Sequence, residues 1–456
     1  MSERENLSSR LGFLLISAGC AIGLGNVWRF PFVTGQYGGG AFVLLYLLFL
    51  LLLGLPIMVM ELAVGRASRK SAAASFRALE PKGTKWHLFS GFAVAGNYLL
   101  MMFYTTVAGW ILSYIVKTAT GQFVGQSTEQ IEEVFSSMLA SPGEMTFFMA
   151  LVVLIGFGVC AIGLQKGVEK LTKVMMVLLF GLLIVLAVRA VTLPGAAEGL
   201  SFYLLPDFSR VMDDLPGTIF AAMGQAFFTL SIGIGSIAIF GSMIGKERRL
   251  AGEAIHITIL DTLVAVIAGL VIFPACFSFG IAPDSGPNLI FITLPRVFNE
   301  MAGGRVWGTL FFLFMAFAAL TTVIAVFENI INFGIELFHW SRKKSILINI
   351  VLVFLLSLPC VFGSNLLSFV QPFGAGSTIQ DLEDFIVSNN LLPLGSLVYL
   401  MFCTRRYGWG YDNFIEEANA GKGLRFPRRM RVYVTYVLPV ILLAVFVQGY
   451  VTKFFF

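Results

Sequence analysis

The feature that most constrains this chain is a series of eleven apolar segments, each about 18 to 30 residues long. A helix of about 20 apolar residues is long enough to cross the hydrocarbon core of a bilayer. The segments lack the alternation of apolar and polar residues that is typical of strands in transmembrane barrels. We therefore predict an all-α integral membrane protein. The predicted spans cover residues 11–36, 41–64, 88–116, 145–163, 168–190, 216–244, 255–279, 306–335, 346–362, 379–403 and 430–452.

The composition excludes a soluble domain, and the motifs do not indicate an enzyme. Hydrophobic residues make up 57% of the chain and charged residues only 12%. The five cysteines and three histidines are isolated from one another, so they form neither a disulfide framework nor a metal-binding spacing. We find no catalytic triad and no phosphate-binding loop. We predict a protein that is not an enzyme, with the lipid bilayer as a partner and no nucleic-acid partner.

Basic residues are concentrated in alternate connecting segments. With the N-terminus placed in the cytoplasm, the cytoplasmic segments contain 24 of the 31 lysines and arginines. The opposite segments are rich in acidic residues instead. The positive-inside rule therefore predicts a multi-pass protein of the cell membrane with a cytoplasmic N-terminus. Because the number of predicted spans is odd, the C-terminus is expected outside. This topology accounts for the net charge of +5.

The first apolar segment contains a stretch, Gly19–Pro31, that is unusual for a membrane helix. Gly23, Gly25 and Asn26 lie near its middle, and Arg29 follows. Irregular backbone survives at this depth only where it lines a protected cavity. An arginine within the membrane is by default functional. A kinked helix with two tolerated glycines is the simpler alternative.

A second stretch of this kind, Gly224–Gly235, lies in the sixth segment, where Gly233 and Gly235 match the earlier glycine pair. Interrupted segments at corresponding places in two halves indicate a secondary transporter with an inverted repeat. Free N–H groups at such breaks suit a carboxylate, and free carbonyl groups suit a small cation. We predict one transporter domain, 1–456, with a first repeat at 9–190, an inverted repeat at 215–404 and an eleventh helix at 430–452.

Five motifs resemble the neurotransmitter:sodium symporter family. They are GCAIGLGNVWRFP at 19–31, GGGAF at 38–42, MELAVGR at 60–66, GQAFFTLSIGIG at 224–235 and FAALTTVIA at 317–325. Eleven spans resemble a bacterial subgroup that carries hydrophobic and aromatic amino acids. The resemblance implies a 5+5 inverted repeat with broken helices 1 and 6, plus one extra helix. It also implies sodium-coupled import of an aromatic or branched L-amino acid by alternating access. A membrane sensor that binds an amino acid without transporting it is the alternative.

The resemblance also implies a substrate site and two sodium sites. The substrate site would contain Ala21, Leu24, Gly25, Leu100, Tyr104, Phe228, Thr229, Ser231, Ile234, Thr322 and Val326. The first sodium site would contain Ala21, Asn26, Thr229 and Asp261, and the second Gly19, Ile22, Ala318, Thr321 and Thr322. Without the family motifs, the apolar members would be interpreted as core. The two adjacent threonines would be interpreted as hydroxyls bonded to the preceding helical turn.

Two gates and an internal countercharge are further expectations. Arg29 and Asp384 would form the outer gate, although Asp384 is also explained as an interfacial carboxylate. Arg4 and Glu336 are the candidates for the inner gate. Asp261, the only acid in the seventh span, would supply the negative charge that chloride provides in animal relatives. Chloride is therefore not expected to be required. A carboxylate that is kept protonated or that snorkels is the alternative, and with the register shifted by one residue Asp261 would take the place of a sodium-ligating asparagine.

Three positions depart from the family pattern. Leu7 occupies the place where the family has an N-terminal tryptophan, Met243 the place of an aromatic residue, and Val177 the place of a proline. All three departures concern the cytoplasmic side. They leave the composition of the inner gate open.

Overall fold

A computed structural model describes residues 7–281 and 289–455 of the chain. In these ranges, nine helices are long and apolar enough to cross a membrane. A bent pair, Arg10–Ala21 and Gly25–Gln36, raises the number of candidate spans to ten. The nine helices are Gly40–Ser68, Trp86–Ala119, Pro142–Ala161, Leu164–Val191, Leu250–Ser278, Gly304–Phe338, Arg342–Gly363, Ile379–Thr404 and Arg428–Phe454.

The predicted sixth span, 216–244, is not one continuous helix. It consists of Leu215–Thr229 and Ala238–Gly241, joined by a non-helical segment at 230–237. Below, spans are numbered in chain order as in the sequence prediction, with 10–36 as span one and 215–241 as span six. The eleven-helix count and the inverted repeat stay predictions.

The break in span six has a cause in its backbone. Ser231, Gly233 and Gly235 have φ angles of 51°, 105° and 78°. Residues with side chains rarely adopt positive φ, because Cβ then approaches the carbonyl oxygen, whereas glycine has no Cβ. A right-handed helix therefore ends at this segment. Ser231 adopts the strained conformation without being glycine.

Span one breaks where the sequence predicts it. Its first helix ends at Ala21, the next residue, Ile22, has an extended backbone (ψ 107°), and the second helix begins at Gly25. The two axes differ by 57°. Both halves of span one contact span six. The backbone groups released at the two breaks therefore lie near each other.

Span eight is at the centre of the bundle. In its apolar window, 83% of the residues are buried, against 28% for span eleven, which lies at the periphery. Span three packs along span eight, and span one contacts spans seven and eight. Shorter helices connect the spans, at Ala72–Leu79, Thr128–Ala140, Ala196–Leu204, Phe208–Asp213, Leu289–Thr293, Leu294–Glu300 and Tyr411–Ala418.

Candidate functional site

A small cavity of about 20 Å³ lies at the breaks of spans one and six. Side chains from spans one, three, six, eight and ten surround it closely. None of its lining residues is charged. The lining consists of Ala21, Gly23, Leu24, Gly25, Leu100, Tyr104, Phe228, Ser231, Ile234, Thr322 and Leu392.

Nine of the eleven predicted substrate-site residues line this cavity, and Thr229 and Val326 do not. Two further lining residues, Gly23 and Leu392, were not predicted. Gly23 belongs to the first motif, and a Cβ there would lie 2.5 Å from Tyr104 Oη. Leu392 carries no signal in the sequence, since it reaches the cavity from span ten only through tertiary packing.

Tyr104 and Phe228 approach the broken backbone of span one from two directions. The Leu24 N–H donates to Tyr104 Oη at 3.2 Å. A Cβ on Gly25 would lie 2.8 Å from Phe228 Cδ1, so only glycine allows this close approach. One end of the cavity is therefore polar, because the N-terminus of the second half of span one and the Tyr104 hydroxyl form it. The rest of the cavity is apolar.

The first predicted sodium site is a buried polar cluster of Asn26, Thr229 and Asp261. Asn26 Nδ2 donates to Thr229 Oγ1 at 2.9 Å and to Asp261 Oδ1 at 2.8 Å. Thr229 Oγ1 donates to Asp261 Oδ2 at 2.9 Å. The structure therefore brings these three side chains together. Ala21, the fourth predicted member, ends the adjacent helix and lines the central cavity.

Asp261 has no cationic side chain beside it in the described part of the chain. From the described residues, its carboxylate accepts hydrogen bonds only from the neutral groups of Asn26 and Thr229. A buried charge without a countercharge costs several kcal/mol. Carboxylate, hydroxyl and amide oxygens are ligands that hard cations prefer. The cluster is therefore suited to a small cation.

Tyr46 and Gln225 are two further polar side chains that are fully buried. Gln225 Nε2 donates to the Gly25 carbonyl at 2.9 Å. Among the described residues, Tyr46 Oη and Gln225 Oε1 have no hydrogen-bond partner. The hydrogen-bonding capacity of these two buried atoms is therefore not used within the described part of the chain.

The second predicted sodium site lies around Thr322 at the end of helix Arg10–Ala21. Thr322 Oγ1 is 3.3 Å from the Gly19 carbonyl oxygen, 3.1 Å from that of Ile22 and 3.4 Å from that of Ala318. Thr321 Oγ1 donates to the Ala318 carbonyl at 2.9 Å. Both threonine hydroxyls are therefore within hydrogen-bond distance of the preceding helical turn. The oxygens expected for a sodium site also lie close to one another. The Cys20 carbonyl, at 3.5 Å, is an oxygen that the sequence did not predict.

Glu61, on span two, supports the break in span six and was not predicted to do so. It is fully buried. Its carboxylate accepts from the N–H groups of Gly233 at 2.9 Å, Ile237 at 2.9 Å and Ala238 at 3.3 Å. These N–H groups have no helical acceptor because the helix is interrupted. The sequence signal that could have identified Glu61 is an acidic residue inside the largely apolar MELAVGR motif.

The predicted outer gate residues line one cavity of about 650 Å³ but are not in contact. Within the described ranges, Arg29 and Asp384 form no ion pair. The Arg29 guanidinium instead lies 4.5 Å from the ring centre of Phe228, a residue of the central cavity. Asp384 Oδ1 accepts from Ser388 Oγ at 2.7 Å. The two charges face the same space above the site.

The predicted inner gate is described only in part, because Arg4 lies outside the described residues. Its candidate partner Glu336 accepts from the Ser71 N–H at 2.9 Å and from Ser71 Oγ at 2.7 Å. The departures Leu7 and Met243 are adjacent, since the Leu7 N–H donates to the Met243 carbonyl at 3.4 Å.

Comparison with known proteins identifies similar chains. The family model described as "Sodium:neurotransmitter symporter family" matches residues 4–134 and 119–454. An uncharacterized sodium-dependent transporter of Bacillus subtilis, YhdH, is 40% identical over 88% of both chains. The sodium-dependent serotonin transporter of Drosophila melanogaster is 28% identical, over 97% of this chain and 76% of its own length. The crystal structure of MhsT in complex with L-phenylalanine is 38% identical, with a TM-score of 0.87, and covers 98% of this chain and 100% of its own.

Proposed function

Because this chain belongs to the sodium:neurotransmitter symporter family of multi-pass membrane transporters, we propose that it imports a hydrophobic L-amino acid together with sodium. The observation that carries the proposal is the uncharged central cavity at the two helix breaks. The complex of the similar protein MhsT with L-phenylalanine supports an amino acid as the substrate. An aromatic or branched side chain is our choice within that class.

In this proposal, the substrate carboxylate meets the N–H groups of Leu24 and Gly25 and the hydroxyl of Tyr104. The positive end of the half-helix dipole favours a carboxylate at this point. The substrate side chain lies toward Leu100, Phe228 and Ile234, which line the cavity. A lysine or glutamate side chain would be buried there without a countercharge, which is unfavourable.

Sodium occupies two sites in the proposed mechanism. The first uses the Ala21 carbonyl and the side chains of Asn26, Thr229 and Asp261, together with the substrate carboxylate. A cation here requires the Asn26 amide to turn, since its Nδ2 donor now faces Thr229 and Asp261 while Oδ1 accepts from the Gly23 N–H at 3.0 Å. The substrate carboxylate, as a ligand, then couples the binding of amino acid to that of sodium.

The second sodium site uses the carbonyls of Gly19, Ile22 and Ala318 and the hydroxyls of Thr321 and Thr322. This ion joins the end of the first half of span one to span eight. Each net charge that moves inward down the membrane potential yields about 2.3 kcal/mol per 100 mV. Asp261 serves as the countercharge, so chloride is not required in our proposal.

Substrate-dependent stabilisation tests the binding step. The thermal stability of the purified protein is measured with each of the twenty amino acids, in sodium and in potassium. We expect stabilisation by aromatic or branched L-amino acids in sodium only. Stabilisation by lysine or glutamate, or equal effects in potassium, would contradict the proposal. Counterflow of labelled substrate in proteoliposomes then separates a transporter from a sensor, because a sensor shows no counterflow.

Gly25→Ala tests whether the cavity is the binding site. The new methyl group would press on Phe228, and such overpacking costs about 1 to 3 kcal/mol. We expect a matching loss of affinity for L-phenylalanine in sodium. Gly158→Ala is the matched control, since a Cβ there meets no atom within 4 Å. Equal affinities in the two variants would move the binding site elsewhere.

A further inference from the structure

A second large cavity, of about 750 Å³, lies away from the transport site. It is formed by helix Tyr411–Ala418, the loop that follows this helix and the residue before span seven. Its charged lining residues are Arg249, Asp412, Glu416, Arg425 and Arg428. Ile415 and Phe426, both buried, provide an apolar wall.

The surroundings place this cavity at the level of the lipid headgroups. Arg428 is the first residue of the apolar helix Arg428–Phe454. Tyrosine side chains follow at once: Tyr433 Oη donates to the Leu52 carbonyl at 2.9 Å, and the Tyr436 ring lies 5.4 Å from the Arg405 guanidinium. Tyrosine and tryptophan are enriched where membrane helices meet the headgroups. The cavity therefore opens beside the membrane surface.

Three arginines in the cavity are available to an anion. Arg249 is held in place by its bonds from Nε to the Asn419 carbonyl at 3.1 Å and from one terminal nitrogen to the Gly423 carbonyl at 2.6 Å. Its other terminal nitrogen makes no hydrogen bond within residues 7–281 and 289–455. In the same ranges, the exposed guanidinium groups of Arg425 and Arg428 form no hydrogen bond or ion pair. Guanidinium groups bind phosphate oxygens in a bidentate geometry.

We propose that this cavity binds the headgroup of an anionic phospholipid that carries hydroxyl groups, as phosphatidylglycerol does. The phosphate lies among the guanidinium groups of Arg249, Arg425 and Arg428. The headgroup hydroxyls donate to the carboxylates of Asp412 and Glu416, which accept but do not donate hydrogen bonds when ionised. The carboxylates thus select a headgroup with hydroxyls over one with a bare phosphate.

The bound lipid would act on the loop that follows span six. The Arg249 N–H donates to the Lys422 carbonyl at 3.1 Å, and the Lys422 N–H donates to the Glu247 carbonyl at 2.9 Å. The buried Arg66, on span two, donates to the Arg248 carbonyl at 2.7 Å. A headgroup held at Arg249 therefore reinforces a connection between spans two and six and the chain before span eleven.

Lipid titration of the detergent-purified full chain tests this inference. Short-chain phosphatidylglycerol is compared with short-chain phosphatidylcholine and with inorganic phosphate, and thermal stability is the readout. We expect phosphatidylglycerol to raise the unfolding temperature more than either other probe. The double variant Arg425→Gln/Arg428→Gln should weaken this response roughly thirtyfold in lipid concentration, given the usual contribution of each basic residue.

The control variant Lys82→Gln/Lys85→Gln removes the same charge from exposed lysines of another loop. It should respond to phosphatidylglycerol as the unmodified chain does. Equal loss in both double variants would show a diffuse charge effect and overturn the proposed site. An equal response to phosphatidylcholine, or to inorganic phosphate, would overturn the choice of an anionic lipid. These measurements use no amino acid, so they do not depend on the transport proposal.

Discussion

Asp261 is a buried carboxylate whose hydrogen-bond partners, Asn26 and Thr229, are neutral. In our proposal it balances the charge of sodium. We expect replacement of chloride by gluconate to leave uptake unchanged in the unmodified chain. Asp261→Asn removes the negative charge and keeps the shape, so it should abolish uptake or make uptake depend on added chloride.

The control for this variant is Asp213→Asn, an exposed aspartate away from the cluster, which should transport normally without chloride. Uptake is measured in proteoliposomes with chloride or gluconate on both sides. Full chloride-free activity of Asp261→Asn would show that Asp261 is not the countercharge. Chloride-dependent uptake by the unmodified protein would show the same.

Arg29 contacts the ring of Phe228 rather than Asp384. If Arg29 closes the site from outside, its charge is needed for the gate to form during transport. The same charge contributes little to the stability of the folded protein. We expect Arg29→Ala to reduce uptake strongly and to lower stability only by about 1 kcal/mol, the usual contribution of a cation–π contact such as that with Phe228. Asp384→Ala should have the same effects.

Lys453→Ala is the matched control for the gate, because Lys453 lines the same outer cavity and lies 4.2 Å from the ring centre of Phe373. Initial uptake rates and unfolding temperatures are compared across the three variants. If uptake survives in Arg29→Ala and Asp384→Ala, these residues are not the gate.

At the scale of elements, span six depends on Glu61 of span two. The carboxylate accepts from three backbone N–H groups at the break. In Glu61→Gln, one oxygen becomes an amide nitrogen that faces donors, and an unsatisfied buried group costs about 1 to 3 kcal/mol. We expect a lower unfolding temperature and slower uptake. Glu133→Gln, at an exposed site, should change neither quantity. If Glu61→Gln also left the unfolding temperature and the uptake rate unchanged, the hydrogen bonds of Glu61 would be dispensable.

At the scale of the whole molecule, the predicted topology places successive connecting segments on opposite sides of the membrane. All five cysteines are buried, so a cysteine introduced on the surface gives a clear signal. Lys82→Cys lies in a loop predicted to be cytoplasmic, and Glu132→Cys in one predicted to be outside. In intact cells, we expect a membrane-impermeant maleimide to label Glu132→Cys only, and both variants after permeabilisation. The reverse pattern would invert the topology.

The sequence alone determined the membrane class and the places where spans one and six break. Both depend on local physics: apolar segments partition into the bilayer, and paired glycines at 23 and 25 and at 233 and 235 weaken a helix where they occur close together. The polar residues of the proposed site followed from the family resemblance. They include Asn26, Thr229 and Asp261, which the structure places within hydrogen-bond distance of one another.

Only the tertiary structure decided which distant residues meet. Leu392 lines the central cavity from span ten, whereas Thr229 and Val326 do not line it. Glu61 reaches the N–H of Gly233 across 172 positions of sequence. Helix packing decides such contacts, because the rotation of each helix about its axis determines which of its side chains face the centre. A membrane span that is apolar all round does not specify that rotation in its own sequence.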